Sequence, residues 1–161
     1  MPEFREMPSA GFNEMLCNVH VIREDAMPII DWNITLLVGI PEVDKHHQQL
    51  VQVLNEAYDA FREEVEVSAA VIDEIMASSA RDFAFEEELM AKVSYPNIAK
   101  HKNEHLIFCR RVEELQSNLK QNKKISIELI WFLCNWVSHH IRETDAEFGR
   151  FMDGARLRKK G

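Results

Sequence analysis

Apolar side chains recur at three- and four-residue intervals along four stretches of the chain, and each stretch is bounded by capping or turn residues. Pro41 opens the first, which runs through Val43, His47, Leu50, Val51, Leu54, Tyr58 and Phe61. Ser68 is placed to cap the second, which carries Val71, Ile75, Asp82, Glu86 and Leu89 on one side and ends before Tyr95-Pro96. The third follows at once with His101, His105, Phe108, Val112, Leu115 and Leu119, and Gln121-Asn-Lys-Lys-Ile125 reads as a loop. Ser126 caps a fourth through Leu129, Leu133, Trp136, Val137, His140 and Phe148, with a stop near Gly154. No segment alternates apolar and polar residues for long, which favours an all-α chain over a sheet protein. Four helices of roughly 20 to 25 residues with short connections pack most simply as an up-down-up-down antiparallel four-helix bundle. Residues 27–161 form that domain, and residues 1–26, with Pro2, Pro8 and Gly11 and no clear period, form an N-terminal extension.

The remaining composition narrows the partners. A length of 161 residues with 46% hydrophobic content supports one domain with a sizeable core. The net charge of -8 argues against nucleic acid or an anionic membrane as the main partner. The basic cluster Arg156-Leu-Arg-Lys-Lys160 reads as a solvated helix tail. There is no membrane-length apolar run and no signal-peptide core, so a cytoplasmic location is expected. Cys17, Cys109 and Cys134 are odd in number and widely spaced, which suggests reduced thiols rather than disulfides or a Cys-based zinc site.

Chemistry is suggested by what the apolar faces contain besides apolar residues. In Asp82-Phe-Ala-Phe-Glu-Glu-Glu-Leu-Met90, Phe83, Phe85, Leu89 and Met90 mark an arc with Asp82 and Glu86 in its middle, while Glu87 and Glu88 fall outside it. A carboxylate on a buried stripe costs several kcal/mol unless it is paired or binds a metal. His47 is central on the first face and His140 on the fourth, whereas His46 and His139 lie about 100° away toward the rim, where substitution is expected to do little. His101 and His105 share one side of the third helix at i, i+4, within reach of one metal ion, though the Glu that a zinc-protease motif requires after the first histidine is absent. Asp145 is rotated about 140° from His140 on a regular helix and could join it only from the edge or through a local π-type widening. Taken alone, each histidine reads as a hydrogen-bonded core residue and Asp145 as an exposed acid. Together, four helices direct imidazoles or carboxylates to one level of one core, and a metal pair would offset the cost of burying them. Imidazole and carboxylate without thiolate suit iron, with manganese or zinc as chemical possibilities. The Glu-x-x-His pairs of ferritin-like sites do not occur.

These motifs resemble those of the hemerythrin family, specifically the bacterial hemerythrins. The resemblance covers about Ile30 to Phe151. It rests on Trp32 with Val38-Gly-Ile-Pro-Glu-Val-Asp44 and His47, on Phe83-x-x-Glu86-Glu-x-Leu-Met90, on Tyr95-Pro96 with His101 and His105, and on Trp136-x-x-x-His140-Ile-x-x-x-Asp145. Met27-Pro-Ile-Ile-Asp-Trp32 resembles the usual start of such a protein. The resemblance implies a non-haem di-iron centre that binds O2, or another small diatomic or anionic ligand, with no enzymatic turnover required. It implies that His101, His105 and His140 are ligands of one iron, that His47 binds the second, and that Glu86 and Asp145 bridge. It also implies that Leu50, Phe83, Trp136 and Val137 line the ligand pocket. Asp82 is the departure, because the family pattern has histidine there. An anionic ligand in its place lowers the charge of the centre by one unit and favours the ferric state, which points to faster autoxidation. Two alternatives to O2 storage, delivery or sensing follow: a redox or peroxide-reactive di-iron protein, and a module holding a single metal at His101, His105 and His140.

Overall fold

The computed structural model describes residues 28–63, 67–123 and 125–158, with side chains to residue 155. The proposed N-terminal extension, Cys17 and the basic side chains beyond residue 155 lie outside them. Among the described residues the chain is all-helical. Helix α1 spans Pro41–Arg62, α2 Ala69–Lys92, α3 Ile98–Lys120 and α4 Ile127–His140. A π-helical segment, Ile141–Asp145, joins α4 directly to α5, Ala146–Arg158. Helices α1 and α2, α2 and α3, α3 and α4, and α4 and α1 pack side by side, closing the expected up-down-up-down bundle.

The punctuation works as the sequence suggests. Pro41 occupies the first turn of α1, where its missing N–H costs nothing. Ser68 and Ser126 accept from the backbone N–H groups of Val71 and Leu129, each at 3.3 Å. Gly154 does not stop the fourth arm, which continues to Arg158. A single glycine in a helix costs only about 1 kcal/mol, and α5 is anchored upstream by buried Phe148, which packs with Phe151 against Tyr95. Met90 is fully buried as expected, but at two positions the stripe of α2 is turned slightly: Ile72 is fully buried, while Val71 and Leu89 are half-buried.

Residues 30–40 form a strap before α1. Ile30 exchanges two 3.0 Å hydrogen bonds with the Asn55 side chain, and Asp44 accepts from the N–H groups of Val38 at 2.7 Å and Gly39 at 3.2 Å. Gly39 makes the turn with φ +81°, a region that glycine enters without a Cβ penalty. The strap then crosses α5 so closely that a Cβ on Gly149 would lie 2.2 Å from the Val38 carbonyl oxygen. Leu36, Val38, Ile40 and Phe148 thereby seal the bundle beside the π segment.

Candidate metal centre

All seven of the polar residues singled out in the sequence are buried, from fully buried Glu86 to His140 at 3% exposure. Helix α1 supplies His47, α2 supplies Asp82 and Glu86, α3 supplies His101 and His105, α4 supplies His140 and the π segment supplies Asp145. Their donor atoms fall into two groups that share Glu86: Glu86, His101, His105, His140 and Asp145 in one, and His47, Asp82 and Glu86 in the other, with all donor atoms in a group within 4.8 Å of one another.

Two carboxylates straddle the groups. Glu86 turns Oε1 to His47 Nε2 at 3.1 Å and Oε2 to His105 Nε2 at 3.2 Å and His101 Nε2 at 3.4 Å. Asp145 turns Oδ2 to His47 Nε2 at 3.3 Å and Oδ1 to His101 at 3.1 Å and His140 at 3.3 Å. Asp145 can do so because the π segment widens the helix between it and His140: i→i+5 bonding brings residues five apart onto one side. Asp82 Oδ2 faces His47 Nε2 at 3.5 Å.

Outer carboxylates set the tautomers. His105 Nδ1 lies 3.0 Å from Glu87 Oε1, and His140 Nδ1 lies 2.8 Å from Glu104 Oε2, which also accepts from the Thr144 hydroxyl at 2.9 Å. Burial works against charge on Glu104, yet the Thr144 hydroxyl and His140 ring hold it below the ordinary carboxylate range. Burial likewise opposes charge on Glu87, and Lys102 and His105 outweigh it. An ionised carboxylate only accepts, so both Nδ1 atoms carry a proton and both rings turn Nε2 inward. Those two Nε2 atoms are 3.1 Å apart. A proton or a cation between them satisfies both nitrogens.

The acids and bases divide accordingly. Burial opposes charge on His47, but Asp82, with Asp145 and Glu86, holds its pKa well above the ordinary value. His101 is raised to about 9 in the same way, burial being outweighed by Asp145 and Glu86. Despite burial and their mutual repulsion, Glu86 and Asp145 are pulled below the normal range by the surrounding histidines. Burial and the Glu86 charge push Asp82 well above it. Both Asp145 oxygens, Asp82 Oδ1 and the Nδ1 atoms of His47 and His101 are buried without a hydrogen bond, despite the short contacts. The Asp145 oxygens approach three histidine nitrogens at 3.1–3.3 Å without hydrogen-bond angles, which leaves their lone pairs for another partner. A set of four imidazoles and three carboxylates without thiolate fits iron.

Comparison with known proteins decides the family. A family model for the Hemerythrin HHE cation binding domain matches residues 38–151. The chain belongs to the hemerythrin family. It is 34% identical to the bacteriohemerythrin of Stenotrophomonas maltophilia over 123 residues, covering 76% of this chain and 80% of that protein. The bacteriohemerythrin of Pseudomonas aeruginosa is 34% identical over 118 residues, covering 73% and 77%. A solved hemerythrin carrying a single substitution superposes with a TM-score of 0.68 at 22% identity, covering 77% of this chain and 97% of that one, a likeness of fold.

Within this hemerythrin bundle the four expected pocket residues occupy the core at the level of the histidines. Phe83 stacks flat on the His105 ring at 3.8 Å, and Trp136 on the His140 ring at 4.3 Å. Leu50 and Val137 are buried one turn from His47 and His140. His139 is exposed, as expected of the rim. His46 is not directed away from the centre: its Nδ1 is buried and 3.9 Å from Asp82 Oδ1. Sequence reading missed Glu87 and Glu104, which sit outside the apolar arcs. The one available signal was their spacing, since Glu104 precedes His105 and Glu87 follows Glu86. The described cysteines take no part. Burial pushes the Cys134 thiol up to about 12, and Cys109 is half-buried.

Proposed function

We propose that this hemerythrin holds two non-haem iron ions and binds O2 for storage, delivery or sensing. One iron would be held by His101, His105 and His140, the other by His47 and Asp82, with Glu86 and Asp145 bridging. The observation that carries this reading is the pair of straddling carboxylates, each with one oxygen toward each donor group. A reduced iron pair supplies the electrons that O2 binding needs. The protein's part is to keep the rings fixed and the surroundings dry: Glu87 and Glu104 hold the Nδ1 protons outward, Phe83 and Trp136 lie flat on two rings, and Leu50 and Val137 fill the apolar wall. Binding without turnover is the function proposed.

A second reading is favoured by Asp82. A third carboxylate beside His47 makes the centre one unit less positive than an imidazole would, which stabilises ferric iron and suits redox or peroxide chemistry. Anaerobic loading with Fe(II), iron analysis and rapid mixing with O2 test both. Two irons per chain and a visible absorption band that persists support O2 binding. Two irons with rapid bleaching and turnover support the second reading, and one iron with no band overturns both.

A further inference from the structure

Asp82 divides its two oxygens between different neighbours. Oδ2 faces His47 and the shared group, whereas Oδ1 is buried, has no hydrogen bond, and faces His46 Nδ1 at 3.9 Å. That Nδ1 is itself buried without a partner. Two complementary orphans, one donor-capable and one acceptor, thus confront each other beside the second donor group. The His46 ring is held for this contact: its edge meets Phe85 at 5.3 Å and 89°, and Phe85 follows Asp82 by one turn of α2. Helix α2 therefore offers a notch with a carboxylate at its base and an aromatic wall, and α1 inserts His46 into it. The side chain remains about a quarter exposed, so Nε2 needs no buried partner.

We propose that His46 is a positioning residue for Asp82: its Nδ1–H takes the carboxylate oxygen that His47 leaves free and fixes the rotamer that presents Oδ2 to the second metal. An aspartate is shorter than the histidine of the family pattern and turns freely about its Cα–Cβ bond, so direction must come from outside the carboxylate. Closing the 3.9 Å gap to a charge-assisted contact of ~2.8 Å requires only a small rotation of two side chains already facing each other. Outer partners of this kind commonly contribute about 10- to 100-fold in metal affinity. The proposal rests on the reading of Asp82 as an oxygen ligand.

The test is equilibrium dialysis of the metal-free full-length chain against Fe(II) without oxygen, counting sites and their affinities. His46→Leu keeps bulk against Phe85 but loses the N–H; His46→Asn places an amide N–H at the position of Nδ1. We expect His46→Leu to weaken the second site about tenfold or more and leave the first unchanged, and His46→Asn to recover most of the loss. In an Asp82→His background, where no carboxylate needs direction, His46→Leu should have no effect. Unchanged binding in His46→Leu, while Asp82→Ala loses the second iron, overturns the proposal but leaves Asp82 as a ligand. Unchanged binding in Asp82→Ala overturns the ligand reading and the proposal with it. A loss that affects both sites equally, or that persists in the Asp82→His background, makes His46 a packing residue and also overturns it.

Discussion

At the scale of single residues, two carboxylates outside the donor groups, Glu87 and Glu104, hold the outer nitrogens of the His105 and His140 rings. Glu104 holds both the His140 ring and the Thr144 hydroxyl, so it couples a ring on α4 to the π segment that carries Asp145. Glu104→Ala should lower iron affinity by about 10- to 100-fold, measured by chelator competition, and Glu104→Gln should retain much of the binding because its carbonyl oxygen still accepts. Asp82→His should slow air oxidation of the Fe(II)-loaded chain, followed by visible absorption, since a neutral ligand stabilises ferric iron less; equal rates would show that the carboxylate does not act on the metal. Six of the seven inward residues were legible in the sequence because burial at helical spacing is a periodic property; Asp145 breaks the period and was assigned only through the family resemblance. Glu87, Glu104 and the contact of His46 with Asp82 were not legible, because half-exposed acids and rim histidines look alike until the neighbouring helix is in place.

At the scale of elements, the π segment decides whether Asp145 faces the site. The 140° misfit between His140 and Asp145 on a regular helix left the helix edge or a local widening as the routes into the site, and no propensity marks where a π turn forms. It forms at Ile141–Asp145, where Thr144 is tied to Glu104 on α3. Deleting exposed Arg142 should let α4 run into α5 as a regular helix and place the aspartate four residues after His140, on the same side. Phe148 and Gly149, further along the same helix, would keep their places against the strap. We expect circular dichroism and thermal melts to show the bundle retained, with any loss confined to the metal site and read by chelator competition. The strap contact has its own test. Gly149→Ala drives a methyl into the Val38 carbonyl, an overpacking against backbone that should cost about 1–3 kcal/mol or more in urea unfolding of the loaded protein.

For the whole molecule, burying three carboxylates and four histidines in one bundle makes stability depend on what neutralises them. In the metal-free chain His101 keeps its proton up to about 9, against an ordinary 6.5, and His47 and Asp82 are also raised. The folded state therefore binds more protons than the unfolded one over this interval. That stabilisation is full below about 6.5 and is lost as pH climbs through 9. Asp145, held below its ordinary 3.8, acts in the opposite sense: its contribution is present above that pH and lost in stronger acid. Thermal melts of the metal-free chain should accordingly decline from pH 6.5 to 9, while the iron-loaded chain should decline less, because metal replaces the protons. The bundle topology itself was readable from four amphipathic stretches and their caps, whereas the strap, short and mostly apolar, showed no helical period to read. The crossing of that strap over Gly149 also bears on the order in which the protein can be made. A chain emerging from the ribosome has His47, Asp82, Glu86, His101 and His105 long before it has Asp145, and the strap has nothing to close against until Gly149 follows. On the proposed reading, iron capture follows synthesis of α5, and a chain stalled at residue 144 should surrender iron to a mild chelator that one reaching residue 158 withstands.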